Sequence, residues 1–249
     1  MFPLFDDNDY QGRPWLTWIF MAACIVIFFW QVTLSPGELK RLIYSLGMIP
    51  AVVFGSTDLP ADIQIVPDWA TLFTSMFLHG DFMHLAGNML YLWIFGDNIE
   101  MAMGRVRFLF FYAACGVAAA LTQAFMAPGS EIPMIGASGA ISGVLGAYLL
   151  LFPRGSVGVL VAYLGIIYVP AVIVLGLWFL IQFLSGVSAP VSGGGVAFWA
   201  HVGGFVAGMV LIPLFRHRKF PMFGGQKKRP FQRGRMRDRP PGPWGPRPD

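Results

Sequence analysis

Gly136-Ala137-Ser138-Gly139-Ala140-Ile141-Ser142-Gly143-Val144-Leu145-Gly146-Ala147, continued by the apolar Tyr148-Leu149-Leu150-Leu151-Phe152, is the stretch on which the reading of this chain turns. It carries no charge and closes at Arg154. Gly139, Gly143, Gly146 and Ala147 recur at helical spacing and leave a smooth face on which a second backbone can rest, the means by which helices associate in lipid. Ala200, Gly204 and Gly208 repeat the four-residue spacing in another apolar run, beside His201. These two small-residue faces predict that the two helices touch and that Ser138 comes within hydrogen-bond reach of His201.

The whole chain shares the character of this stretch. Of its 249 residues 56% are hydrophobic and 12% charged, with a mean hydropathy of +0.63. A soluble domain carries about 25% charged residues. The composition therefore excludes a water-soluble enzyme, a disordered protein and a disulfide-stapled secreted domain. A membrane-spanning helix needs about 20 mostly apolar residues, and six candidate runs are present: 16–34, 83–99, 106–126, 138–152, 168–184 and 197–215. The first run is long, lacks a basic leader and is followed by no small-residue cleavage site, so it reads as a span rather than a signal peptide. With a cytoplasmic N-terminus, 15 of the 17 Lys and Arg fall on the cytoplasmic side, and only Lys40 and Arg41 fall outside. This bias supports six spans with both ends in the cytoplasm. The expected fold is an all-α membrane protein, a six-transmembrane-helix bundle with a long interfacial first loop. Its parts are a cytoplasmic N-terminal segment (1–15), the six-helix body (16–215) and a basic, Pro/Gly-rich tail (216–249).

The first outer loop, 35–82, is partly apolar and suits an amphipathic piece lying in the interface. Residues 157–167 are apolar but too short to span, and read as an interfacial linker. Gly193-Gly194-Gly195, beside the fifth span, suits a movable cap. The tail holds 11 bases and two acids. It is expected to be disordered and to lie on anionic lipid rather than bind RNA, so no nucleic-acid partner is expected. Cys24 and Cys115 sit in apolar runs and report no redox compartment. Zinc-type spacings are absent, and neither a metal nor a cofactor is expected. Asp97 and Glu100, near the cytoplasmic end of the second span, read as structural, pairing or capping with Arg105 or Arg107.

Polar side chains at membrane depth are costly and usually functional. His84, Asn88, Ser138 and His201 stand out. Counting back at 1.5 Å per residue places Ser138 about 24 Å from Arg154, His201 about 22 Å from Arg216 and Asn88 about 25 Å from Arg105. The three converge on one plane just below the outer edge of a hydrocarbon core about 30 Å thick. His84 lies one turn further out on the Asn88 face. Serine becomes a nucleophile when a base takes its proton, and histidine is the usual base. An imidazole and an amide one turn apart can donate to an oxyanion, and the Ser138 N–H can add a third donor. No acid lies at this depth, so a Ser138–His201 dyad is expected rather than a triad. A serine at a helix start more often caps, a buried histidine more often packs, and an asparagine in a span more often glues helices. Their shared depth argues against those separate roles.

Gly136-Ala137-Ser138-Gly139 resembles the nucleophile motif of the rhomboid intramembrane serine proteases. Ala200-His201-Val202-Gly203-Gly204-Phe205 is similar to the histidine motif on their last core helix, and the segment from His79 to Asn88 to their second-helix signature. Gly96, Glu100 and Gly104 resemble the motif at that helix's end. The resemblance covers about 16–215. It implies Ser138 as nucleophile, His201 as general base and acid, and His84, Asn88 and the Ser138 amide as oxyanion hole. Two positions depart from some members: Trp69-Ala70 replaces a Trp-Arg pair, and Ser142 stands where a tyrosine stacks on the histidine. The expected activity is cleavage of single-span membrane proteins near the outer face of an inner, prokaryotic membrane. A catalytically inactive scaffold that binds membrane spans is the alternative; covalent labelling of Ser138 separates it from the enzyme. A small-solute channel would need a water path through to the cytoplasm. Neither the oligomeric state nor the physiological substrate follows from the residues.

Overall fold

The computed structural model describes residues 2–8, 12–188 and 196–224. Helix α1 (Trp15–Thr33) buries Thr17, Phe20, Cys24, Phe28 and Gln31, a three-and-four spacing that turns one stripe inward. Its opposite face presents Ile19, Val26, Phe29 and Val32, apolar residues that lipid would cover. The first loop holds three short helices, α2 (Pro36–Leu46), α3 (Pro50–Val53) and α4 (Thr71–Thr74). Ser35 and Glu38 form a capping box at the start of α2, with Pro36 in its first turn. Such reciprocal capping stabilises the first turn of this amphipathic helix. A two-way backbone bridge between Met48 and Met134, at 3.0 and 2.8 Å, ties the loop to the segment entering the central helix. The fully buried Met48 side chain packs on Ala120 and Ala124.

The remaining helices are α5 (Phe82–Met103), α6 (Arg105–Met126), α7 (Ser138–Leu151), α8 (Ala171–Ser188) and α9 (Phe198–Phe215). Together with α1 they match the six expected spans to within a few residues. Four of them, α1, α6, α8 and α9, are long and apolar enough to cross a membrane. Helix α5 has the length but carries His84, Asn88, Asp97, Asn98 and Glu100. Helix α7, at 14 residues, is short and almost wholly buried from Gly139 to Tyr148. A helix apolar all round belongs at the centre of a bundle, and α7 packs against α5, α6, α8 and α9. Helix α8 is peripheral, burying only Ala171, Leu175 and Gly186.

Glu100 does not pair with the neighbouring arginines. Its carboxylate accepts from the Leu16 and Thr17 N–H groups at 3.1 and 2.8 Å and from the Thr17 hydroxyl at 2.9 Å. Pro14 at the cap position offers α1 no side-chain acceptor, so a carboxylate distant in sequence serves the positive end of the helix. Asp97 accepts from its neighbour Asn98 at 2.6 and 2.9 Å. Gly104, at φ +80°, turns the chain from α5 into α6.

Residues 157–167, expected as an interfacial linker, form a β-hairpin. β1 (Phe2–Asp6), β2 (Ser156–Val161) and β3 (Gly165–Pro170) form an antiparallel sheet in that order, with Val159 opposite both Pro3 and Ile167. Val157 and Val159 are fully buried. Alternating β-branched residues favour a strand, and the partner that completes it lies more than 150 positions earlier. Behind the sheet, Asp6 accepts from Asn8 at 2.8 Å, Asn98 at 2.9 Å and the Tyr148 hydroxyl at 2.6 Å. The N-terminal strand is thereby fastened to both α5 and α7. Of the tail, residues 216–224 fold back onto this end: His217 N–H donates to Ala102 C=O at 2.8 Å and Phe223 N–H to Leu150 C=O at 2.7 Å. Residues 225–249, and Gly193-Gly194-Gly195, lie outside the described residues.

Burial lifts the Asp6 carboxyl to about 6, and the neighbouring Asp7 adds to the rise, against the lowering effect of its three donors. A raised carboxyl holds its proton longer folded than unfolded, so this stabilising contribution is complete below about pH 4 and is lost as pH rises through about 6. Thermal unfolding in detergent should therefore show stability falling between pH 4 and 7 by up to about 3 kcal/mol from this group. Asp6→Asn should flatten that dependence. An unchanged slope in the variant counts against the assignment.

Candidate active site

The site is built from helix starts. Gly136, at φ +124°, turns the chain into α7 and anchors its N–H on the Ser75 carbonyl at 2.8 Å. Ser138 is the first residue of the helix. Its hydroxyl does not cap α7 but lies 2.8 Å from His201 Nε2. His201 sits in the first turn of α9.

The two are brought together by glycine. A Cβ on Gly204 would lie 2.0 Å from the Gly139 carbonyl oxygen, one on Gly208 1.9 Å from that of Gly143, and one on Gly146 2.1 Å from that of Phe205. No side chain of any size fits at these crossings, so the backbones of α7 and α9 are in direct contact, as the two small-residue faces predict. Cα–H groups approaching carbonyl oxygens add a small attraction.

His84 and Asn88 project from the first two turns of α5. Asp81 caps that helix, accepting from His84 N–H at 2.8 Å. The Gly80 N–H points at His84 Nδ1 at 3.5 Å, which leaves Nε2 to carry the ring proton. A Cβ on Gly136 would come within 2.7 Å of that Nε2 and 3.8 Å of Asn88 Nδ2. Both donors therefore stand against the turn two residues before Ser138. Among the described residues Asn88 Nδ2 has no hydrogen-bond partner, so it is free to donate into the site. All four expected residues line one cavity of about 700 Å³, together with Met83, Tyr91 and Trp178.

Three glutamines complete the surroundings, and the sequence reading passed over all of them. Gln182 of α8 places Oε1 2.7 Å from His201 Nδ1. Gln123 of α6 accepts from the Ala200 N–H at 3.3 Å. Gln31 of α1 holds His79 by both its N–H and its carbonyl, each at 3.1 Å. The rule that singled out His84 and Asn88, a polar side chain inside an apolar run, applies equally to these three. Ser142 donates to the Ser138 carbonyl at 2.6 Å. The ring facing His201 is instead Trp178, with centroids 5.8 Å apart.

Apolar spans packed around a central helix define a multi-pass membrane protein with a Ser–His pair in its interior. The family model described as the Rhomboid domain matches residues 66–218. Rhomboid protease GluP of Bacillus subtilis is 34% identical over 139 residues, 56% of this chain and 25% of GluP. Rhomboid protein 1, mitochondrial, of Saccharomyces cerevisiae is 30% identical over 191 residues, 69% of this chain and 52% of that protein. Presenilin-associated rhomboid-like protein, mitochondrial, of Homo sapiens is 30% identical over 156 residues, 62% and 37% of the two chains. The matches thus span between a quarter and about half of these relatives' lengths. The chain belongs to the rhomboid family of membrane proteins.

Two glycine substitutions test the assembly. Gly208→Ala forces α9 off the Gly143 carbonyl and should cost about 1–3 kcal/mol in thermal unfolding, the usual range for overpacking. Gly136→Ala adds a methyl against His84 at a backbone angle that only glycine adopts freely. It should lower the reactivity of Ser138 toward a fluorophosphonate while α7 and α9 stay packed. Wild-type reactivity in that variant would show that His84 does not stand where described.

Proposed function

We propose that the chain is an intramembrane serine endopeptidase that cleaves single-span membrane proteins near the outer face of the bilayer. The observation that carries this reading is the 2.8 Å contact between the Ser138 hydroxyl and His201 Nε2. His201 takes the Ser138 proton as Oγ attacks the scissile carbonyl. The oxyanion is received by His84 Nε2–H, by the unpartnered Asn88 Nδ2 and by the Ser138 N–H at the helix start. His201 then gives its proton to the leaving amine, and water releases the acyl enzyme.

A helical peptide bond is shielded by its own hydrogen bonds, so the substrate span must present a locally unwound strand. Substrates with Gly or other small, helix-weakening residues near the cut fit this requirement. The proposed setting is a prokaryotic inner membrane with both termini cytoplasmic, the sheet of β1–β3 on that side and lipid around the bundle. The named relatives include mitochondrial proteins as well as bacterial ones.

Purified protein, Ser138→Ala and His201→Ala should be compared on a panel of single-span proteins. The unsubstituted protein should cleave members of the panel, and each variant should lose at least about 10³-fold in rate, as in other serine hydrolases. Asn88→Ala should lose about 10²–10³-fold in kcat, the cost of an oxyanion donor. Cleavage that survives Ser138→Ala would end the proposal. A folded wild type that neither cleaves nor labels with a fluorophosphonate would favour a scaffold that binds spans.

A further inference from the structure

Ser142 is turned to the Ser138 carbonyl rather than to the His201 ring, and among the described residues the group at Nδ1 is an amide, not a carboxylate. The support comes from α8. Gln182 Oε1 lies 2.7 Å from His201 Nδ1. One turn earlier on the same helix face, the Trp178 ring lies 5.8 Å from the imidazole at an interplanar angle of 35°. Trp178 in turn stacks on Phe205, one turn beyond His201 on α9. One helix therefore restrains the ring both in its plane and across its face.

We propose that Gln182 is the positioning residue of the site, making it a Ser138–His201–Gln182 chain. With Oε1 turned to the ring, as it is here, the amide accepts from Nδ1–H and leaves the Nε2 lone pair directed at the Ser138 hydroxyl. The opposite tautomer would put an N–H against Oγ, from which no proton could be taken. A carboxylate would do the same orienting work, but an ion at membrane depth carries a desolvation cost that an amide avoids. Gln182 bonds the ring nitrogen of His201 that faces away from Ser138, and so acts through His201. The inference rests on the protease reading for its kinetic consequence, but not for the ring geometry.

The test pairs a spectroscopic readout with a kinetic one, on the full chain in detergent. Nitrogen-15 labelling of histidine should show neutral His201 protonated at Nδ1 in the unsubstituted protein. Gln182→Met, which keeps the length but cannot accept from the ring, should shift the ring to the other tautomer or to a mixture. The same variant should label with a fluorophosphonate and cleave substrate about 10- to 100-fold more slowly, with KM changed less than twofold, since loss of the correct tautomer acts on the chemical step. Gln182→Glu restores an acceptor and should recover most of the rate. Gln182→Asn, too short to reach, should behave like Gln182→Met and serves if the latter fails to fold. Gln182→Met with an unchanged tautomer and labelling rate would overturn the proposal, as would equal losses in the Met and Glu variants, which would mark a packing role. A ring fixed by Gln182 in a protein that neither labels nor cleaves would refute the protease reading alone.

Discussion

At Gly204 and Gly208 the α9 backbone lies so close to the carbonyls of α7 that not even a methyl group fits between them, and the meeting of Ser138 with His201 hangs on that approach. A hydroxyl and an imidazole have short reach. Helices separated by ordinary side chains lie 8–10 Å apart axis to axis, and larger residues at the crossing would hold Ser138 and His201 beyond a hydrogen bond. Lipid supplies little hydrophobic force between helices, so fit and close contact must do the work. That explains the glycines on the facing sides of α7 and α9. It also explains why α7 can be only 14 residues long: it is surrounded by protein and need not match the bilayer with its own length.

The polar groups of the site share a second constraint. Ser138, His201, His84 and Asn88 all occupy the first two turns of their helices. Backbone N–H groups there have no intrahelical partner, and a cavity bounded by helix starts can use them. The unpartnered amide of Asn88 fits this picture. In the proposed reaction a donor fixed in place needs little reorganisation when negative charge develops.

Much of this was legible in the sequence, for stated reasons. Apolar run lengths gave the six helices because the bilayer fixes how long a span must be. The four-residue glycine spacing gave the α7–α9 crossing, and depth counted from arginines placed Ser138, His201 and Asn88 together. The sheet was not legible. Val157, Val159 and Val161 alternate as strand residues do, yet the strand that pairs with them lies at the opposite end of the chain, and nothing local in Phe2–Asp6 indicates it. The role of Glu100 was hidden for the same reason: its partners, Leu16 and Thr17, are more than 80 residues away. Gln182 is different. It stands in an apolar run as plainly as Asn88 does, but the usual partner of a histidine paired with a serine is an acid, and an amide there carries no such signal.

An amide at that position matches how charge is distributed in the fold. Carboxylates gather at the end of α5 and at the sheet, where Asp6, Asp97 and Glu100 each accept at least two hydrogen bonds from nearby donors. At the other end of the helices, the cavity is furnished with hydroxyl, imidazole and amide groups, and its one acid, Asp81, is committed to capping α5. An ion buried in the cavity would have to be neutralised or hydrated by the surrounding bundle, and its field would act on every group in the cavity, including the proposed oxyanion donors. An orienting amide on α8 avoids both costs. It also makes the proposed alignment of His201 depend on a peripheral helix that buries few of its own residues.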